Sequence, residues 1–302
     1  MTNQEFSPSQ TSFSDYLASG SVLVADGAAG TFLMEAGLPS GTPPDLWNIE
    51  NPEAILALHR GYVEAGSQVI LTNTFGANRI KLEKAGISGR AVELNRAGVE
   101  LARQASSGRA YVAGDIGPTG ELMKPFGPLE FEMAVEAYSE QAAALVEAGV
   151  DLLWIETMMD LEEAKAALTA ARRVSSLPVL CSLTFRKKGR TMMGASAGQA
   201  AEELWALGVS AVGANCGEGL QVVDEALSQM GQVLPGAPLI AKPNAGLPKM
   251  VEGKPVYDTG PEAFAGHIAA FVKQGARIVG ACCGSSPAYI EAIARAVREV
   301  QV

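Results

Sequence analysis

Histidine is scarce in this sequence: His59 and His267 are the only two in 302 residues. Both fall inside helical periodicities between apolar runs, where they read as core or surface side chains. A histidine-built metal site or a histidine general base is therefore not expected. Basic charge is also short, with 23 Lys and Arg against 33 Asp and Glu and a formal charge of −10. Without a basic face there is no footprint for a polyanion, which argues against nucleic acid as a partner. No apolar run reaches the roughly 18 residues of a membrane span. The opening MTNQEFSPSQTSFSDYLASG lacks a basic-then-apolar leader pattern. These absences predict a soluble, cytoplasmic protein. Cysteine is limited to Cys181, Cys216, Cys282 and Cys283. Adjacent Cys282 and Cys283 could not bridge to each other without strain, so a disulfide framework is disfavoured.

What is present is a repeated alternation. Short apolar runs at 21–25, 68–72, 109–114, 151–156, 178–184, 210–215, 238–243 and 276–281 are separated by helical patterns. The runs are continuous rather than alternating, as expected for parallel strands covered on both faces. Eight such units predict an α/β fold, a single (β/α)8 TIM barrel, with an open doubly wound sheet as the alternative. Asn51-Pro52-Glu53 offers an N-cap and a first-turn proline, Gly66 a helix stop, and Asp160 and Pro261 further helix starts. No linker or composition shift divides the chain. Residues 1–302 thus read as one domain, with residues 1–18 as an N-terminal arm over the barrel bottom. The Gly- and Pro-rich stretch 27–51 reads as an elaborated loop at the catalytic end.

The predicted strands end in polar residues: Asp26, Asn73, Asp115, Glu156, Thr184, Asn215 with Cys216, Asn244, and Cys282 with Cys283. Any one of the Asp or Asn residues could be a turn former. Their concentration at the C-terminal strand ends, where barrels of this type carry their chemistry, marks that end as the active site. Strands six and eight are near neighbours in a closed barrel, so Cys216 could meet Cys282 and Cys283. Three thiolates can hold zinc and leave a fourth position for substrate. Three buried, apolar thiols are the alternative. Cys181, inside the fifth run, reads as core. The DGAAGT segment at 26–31 matches neither a P-loop nor a full G-x-G-x-x-G pattern, so phosphate binding has no support.

DGAAGT at 26–31, TNTFGAN at 72–78, GDIGPTG at 114–120, ET at 156–157, GANCGEG at 213–219 and GACCGSSP at 280–287 occur in this order. With these motifs the sequence resembles the homocysteine S-methyltransferase family over roughly residues 20–300. TNTFGAN and GDIGPTG look more like the homocysteine-binding module of cobalamin-dependent methionine synthases than like betaine- or S-methylmethionine-dependent enzymes. The resemblance implies a (β/α)8 barrel that methylates homocysteine to methionine, with Zn²⁺ on Cys216, Cys282 and Cys283. It implies that Asp26 and Glu156 hold the substrate amino group and that Asn73 and Asn215 support the site. No catalytic side chain is implied beyond the zinc-bound substrate thiolate. A chain of this length has no room for folate, corrinoid and reactivation domains, so methylcobalamin on a separate corrinoid protein is the expected donor. Ala281 stands where many relatives carry glycine, and Ser285-Ser286 where Thr-Thr is frequent. Three alternatives remain open: a small donor such as S-methylmethionine or betaine, a different thiol or selenol acceptor, and a non-catalytic zinc or corrinoid-docking module. The last has no need of Asp26 and Glu156.

Overall fold

The computed structural model describes residues 6, 8–247, 249–251 and 254–301. All eight expected strands form: β1 Leu23–Val24, β2 Val69–Leu71, β3 Tyr111–Ile116, β4 Leu152–Met158, β5 Val179–Leu183, β6 Ala211–Cys216, β7 Leu239–Pro243 and β8 Ala276–Val279. Each pairs in parallel with its neighbour in chain order, and β8 returns to β1. A parallel bridge from Ala25 to Val69 joins β1 to β2 and closes the ring. The (β/α)8 barrel expected from the sequence is what forms, and the open-sheet alternative falls away.

The apolar runs are continuous because each strand buries both faces. Leu23, Ala25, Val69, Leu71, Leu152, Trp154, Leu180, Ala211, Ile240 and Ile278 point into the lumen and pack as one cluster. Residues between them, such as Val24, Ile70, Leu153 and Val212, pack outward against the helices. Helix Phe13–Ala18 seals the lumen from below with Phe13 and Leu17. Phe13 meets the Tyr111 ring edge-on at 5.5 Å, and Tyr111 Oη donates to Thr11 O at 2.7 Å. The part of the expected arm on residues 1–5 and 7 lies outside the described residues.

Local differences from the sequence reading have simple causes. Asn51 occupies the N-cap of helix Pro52–Glu64, but its side chain makes no capping bond, whereas Asp160 does accept from Glu162 N at 3.0 Å. The single helix expected from Pro261 is two short helices, Pro261–Ala265 and Ile268–Lys273, divided where His267 N tightens to Phe264 O at 3.1 Å. A hairpin of Lys249–Val251 and Lys254–Val256 follows β7, in a segment whose Lys, Gly and Pro content masked it. Among the described residues, no helix is long and apolar enough to cross a membrane.

His59 is core, at 1% exposure, and His267 is on the surface. Burial alone lowers His59 to about 4 from 6.5, and its Nε2 has no partner among the described residues. A histidine whose folded pKa is depressed leaves stability intact above pH 6.5 and removes it as pH falls through 4. Denaturant titrations should therefore show a loss of about 3 kcal/mol between these limits that His59→Gln lacks. Equal acid sensitivity of the two proteins would refute that assignment.

Candidate active site

The C-terminal strand ends open on a cavity of about 520 Å³, lined by Asp26, Asn73, Asp115, Glu156, Cys216, Lys242, Cys282 and Cys283 among others. Below it the apolar lumen ends at Trp154, and Lys242 Nζ stands 5.0 Å from the centre of that ring. Polar side chains thus begin where the packed lumen stops.

The three cysteines meet. The Sγ atoms of Cys216, Cys282 and Cys283 all lie within 4.8 Å of one another, although they come from β6 and from the loop after β8. Cys216 sits at φ +62°, a left-handed conformation costly for a non-glycine residue. Neighbouring Thr157, at the end of β4, has φ +61°. Asn215 joins the two strained ends: its Oδ1 accepts from Thr157 N at 2.9 Å, and its Nδ2 donates to Thr157 Oγ1 at 2.6 Å. The same Nδ2 lies 3.4 Å from Glu156 Oε2. Asn215 therefore sets the positions of a sulfur and a carboxylate at once.

The Cys282-Cys283 loop is fixed from two sides. Cys282 N donates to Pro243 O at 2.9 Å, and Ala245 N to Cys283 O at 3.0 Å, which ties the loop to the end of β7. On the other side, Ser285 Oγ accepts from Ala28 N at 3.0 Å and donates to Cys282 O at 2.8 Å. DGAAGT is thus a buttress for the cysteine loop. Gly284 has φ +82°, and a Cβ there would overlap the Tyr257 ring, so the residue after the pair has to be glycine.

The sulfurs share charge. Hydrogen bonds from Cys282 and Cys283 lower Cys216 to about 3, and the same contacts with Cys216 push Cys282 up and Cys283 to about 12. Cys181 is fully buried in β5, away from this group, and burial raises its thiol.

Beside the sulfurs stands a residue that the sequence reading did not single out. Lys242 on β7 is 3% exposed, with Nζ 2.9 Å from Asp26 Oδ1 and 3.8 Å from Glu156 Oε2. Burial opposes its charge, but Asp26, Glu156 and Cys282 outweigh that and hold it above the usual lysine range. Asp26 Oδ2 accepts from Leu71 N at 2.8 Å, so both its oxygens have partners within the protein. Burial raises Glu156 to about 7; Lys242 opposes this, while Asp26 and Cys216 reinforce it. Asp115 is pushed up as well, by burial first and Glu156 second. The only sequence signal for Lys242 was a cation interrupting the apolar run at 238–243.

Asn73 lines the cavity, but its Nδ2 donates to Pro44 O and Asn48 Oδ1, both at 2.9 Å. Its visible work is to hold the long loop after β1. Thr184 Oγ1 donates to Asn215 O at 3.2 Å, and Asn244 Nδ2 to Gly217 O at 2.6 Å, so both brace the β6 end.

Comparison with known proteins agrees with this geometry. The family model for homocysteine S-methyltransferases matches residues 23–297. The chain is 32% identical over 301 residues to a methionine synthase of Mycobacterium tuberculosis, covering 93% of this chain and 25% of that protein. A Mycobacterium leprae methionine synthase is 32% identical over 297 residues, covering 91% and 24%. The chain thus spans about a quarter of the length of these curated relatives. Among solved structures, the metallated form of the homocysteine methyltransferase MmuM from Escherichia coli superposes with a TM-score of 0.78 at 26% identity, covering 92% of this chain and 97% of that one. By fold, motifs and family match, the chain belongs to the homocysteine S-methyltransferase family.

Proposed function

We propose that this chain binds homocysteine in the barrel-mouth cavity, seats its sulfur on a zinc ion held by Cys216, Cys282 and Cys283, and methylates it to methionine. The observation carrying this reading is that three sulfurs converge at one side of a cavity whose adjoining floor is acidic. The donor set fits the metal. Tetrahedral Zn–S bonds of about 2.3 Å set sulfurs roughly 3.8 Å apart, inside the span observed here. When bound, zinc supplies a Lewis acid that keeps a substrate thiol deprotonated at neutral pH.

The protein's own groups do the rest. Glu156, held by Asn215, offers a carboxylate to the substrate ammonium at a fixed distance from Cys216. Lys242 and Asp26 form an internal pair that limits the negative charge beside the thiolates. Asn73 keeps the loop from β1 closed over the cavity edge. No side chain is needed to remove a proton from sulfur, which suits a site whose one buried histidine is held neutral at pH 7. On this reading residues 1–302 act as one homocysteine-binding domain, with helix Phe13–Ala18 of the N-terminal segment beneath it.

The donor that fits best is methylcobalamin on a separate corrinoid protein. The methionine synthase relatives support this, as does an apolar rim on the βα loops, where Met34, Leu122, Phe126, Met159 and Met192 are exposed. A small donor such as S-methylmethionine or betaine is the second reading, supported by the near-complete coverage of the E. coli homocysteine methyltransferase. Metal analysis, homocysteine calorimetry and a donor screen test all parts. One zinc per chain, thiol binding that needs the metal, and methionine formed from methylcobalamin are expected. Turnover with S-methylmethionine but not methylcobalamin would reverse the donor, and thiol binding unaffected by metal removal would end the zinc reading.

A further inference from the structure

Positive charge is scarce on this chain, yet four cations stand within five residues of the loop after β5: Arg186, Lys187, Lys188 and Arg190. All four are exposed. Elsewhere on the surface Arg79, Arg90, Arg96, Arg103 and Arg173 each meet a carboxylate. None of the four loop cations does so among the described residues. Glu225 meets the turn at its main chain instead, accepting from Lys188 N at 2.9 Å.

The loop is a built element. Arg186 N donates to Arg190 O at 2.9 Å, Thr191 N to Ala195 O at 2.9 Å, and Ala197 N to Gly189 O at 2.8 Å. Gln229 Nε2, on helix Leu220–Val233, donates to Lys188 O at 3.2 Å. A Cβ on Gly189 would strike Gln229, so the turn sits tight against that helix. The root of the loop adjoins the sulfur site. Thr184 Oγ1 donates to Asn215 O, and a Cβ on Gly217 would come within 2.9 Å of Phe185 O. The cations therefore stand on a fixed rim next to the Cys216 loop. Just beyond them Met192 is 48% exposed. Phe126, 69% exposed, borders a groove of about 330 Å³ together with Met193. Charged residues along that groove are already engaged, Lys124 with Glu130 and Glu162 with Lys165.

We propose that this loop is a docking surface for an acidic protein, which pairs its carboxylates with Arg186, Lys187, Lys188 and Arg190 and seats apolar side chains on Met192 and Phe126. Charge complementarity selects the occupant: like charges crowded on a fixed turn repel one another until opposite charge arrives. Arginine, methionine and aromatic side chains are enriched at protein interfaces, and methionine adapts its shape to an apolar partner. Nucleic acid recognition needs a wide basic face. In a chain of net charge −10 these cations occupy one short turn. A protein held here lies beside the Cys216 loop, where a protein-borne methyl donor has to arrive. The partner's role as methyl carrier rests on the proposed function, whereas the docking surface itself does not.

Fluorescence anisotropy on the full-length chain tests this with three labelled probes: an oligoglutamate peptide, the same peptide carrying leucines, and a single-stranded RNA of equal charge. Arg186→Glu, Lys187→Glu and Lys188→Glu combined should weaken both peptides by about tenfold or more, and added salt should weaken them on the unmodified protein. The control combines Arg60→Glu, Arg109→Glu and Arg298→Glu, exposed cations on helix Pro52–Glu64, ahead of β3 and on helix Pro287–Val300. It changes net charge equally and should cost less than about threefold, because distant charges are screened. Met192→Asp should weaken the leucine-bearing peptide about threefold to tenfold more than the plain one, the worth of one partly buried apolar contact. Thermal midpoints close to that of the unmodified protein show that the variants are folded, and the Met192 and salt arms stand without the loop reversals. Equal loss in both triple variants, peptide binding that survives the loop reversals, no peptide binding at all, or tighter binding of the RNA would each overturn the docking surface. If the peptides bind as expected but methylcobalamin fails as a donor, the surface stands and the carrier role falls with the proposed function.

Discussion

Cys283→Ser should leave the protein folded but unable to keep zinc through dialysis against a chelator, with methyl transfer to homocysteine lost. Cys216, Cys282 and Cys283 are the only group of three or more His, Cys, Asp or Glu side chains, among the described residues, placed to hold a metal ion. Removing one leaves two sulfurs and a hydroxyl too weakly acidic to replace a thiolate. Outer-shell changes alone commonly cost tenfold to a hundredfold in metal affinity, so loss of a direct ligand should cost on the order of a thousandfold or more. Folding is expected to survive because Cys283 is only partly buried and lies outside the apolar clusters. Cys181→Ser is the informative control. That residue is fully buried in β5, so a hydroxyl there should lower stability yet leave zinc stoichiometry at one. Full zinc retention by Cys283→Ser, at unchanged affinity, would remove the metal seat from these three residues.

The parts of this site that were legible in the sequence share one property: they break a local pattern. Cys216 and the Cys282-Cys283 pair stand between glycines directly after apolar runs, and the strand count placed those runs on one rim. Val69-Ile70-Leu71 shows why the count succeeded, since every residue of the strand is buried and no polar position interrupts it. Lys242 escaped because a lysine normally reads as solvent-facing, and only three-dimensional closure reveals that its neighbours are Asp26 and Glu156. Those partners lie 216 and 86 residues away in the chain. Asp115 was visible at a strand end, but whether it was a turn former or a ligand depended on its hydrogen bonds, which no spacing encodes. The hairpin after β7 was hidden for another reason: its strands carry Lys and Pro rather than an apolar alternation.

Lys242 also supports the largest expected effect on stability. Lys242→Met preserves much of the side-chain volume over Trp154 but removes the cation from between two carboxyl groups. Breaking a buried pair by deleting one partner costs about 3–5 kcal/mol, because the remaining charge is left unpaired in a poorly solvated site. The pH dependence follows from Glu156. Its folded pKa, about 7, already exceeds the ordinary 4.5, and Lys242 is the one group holding it down. A carboxyl group raised by folding is destabilising above its folded pKa, and that penalty is relieved as pH falls toward its unfolded value. In Lys242→Met the folded value moves higher still, so the stability deficit should be largest near pH 8 and shrink by pH 5.5. Urea denaturation at these two pH values gives the comparison directly. Adding Asp26→Asn to Lys242→Met removes one of the stranded charges and should recover part of the loss at pH 8. If Lys242→Met matches the unmodified protein at pH 8, or its deficit widens on acidification, the lysine is not the charge that makes this acidic floor tolerable.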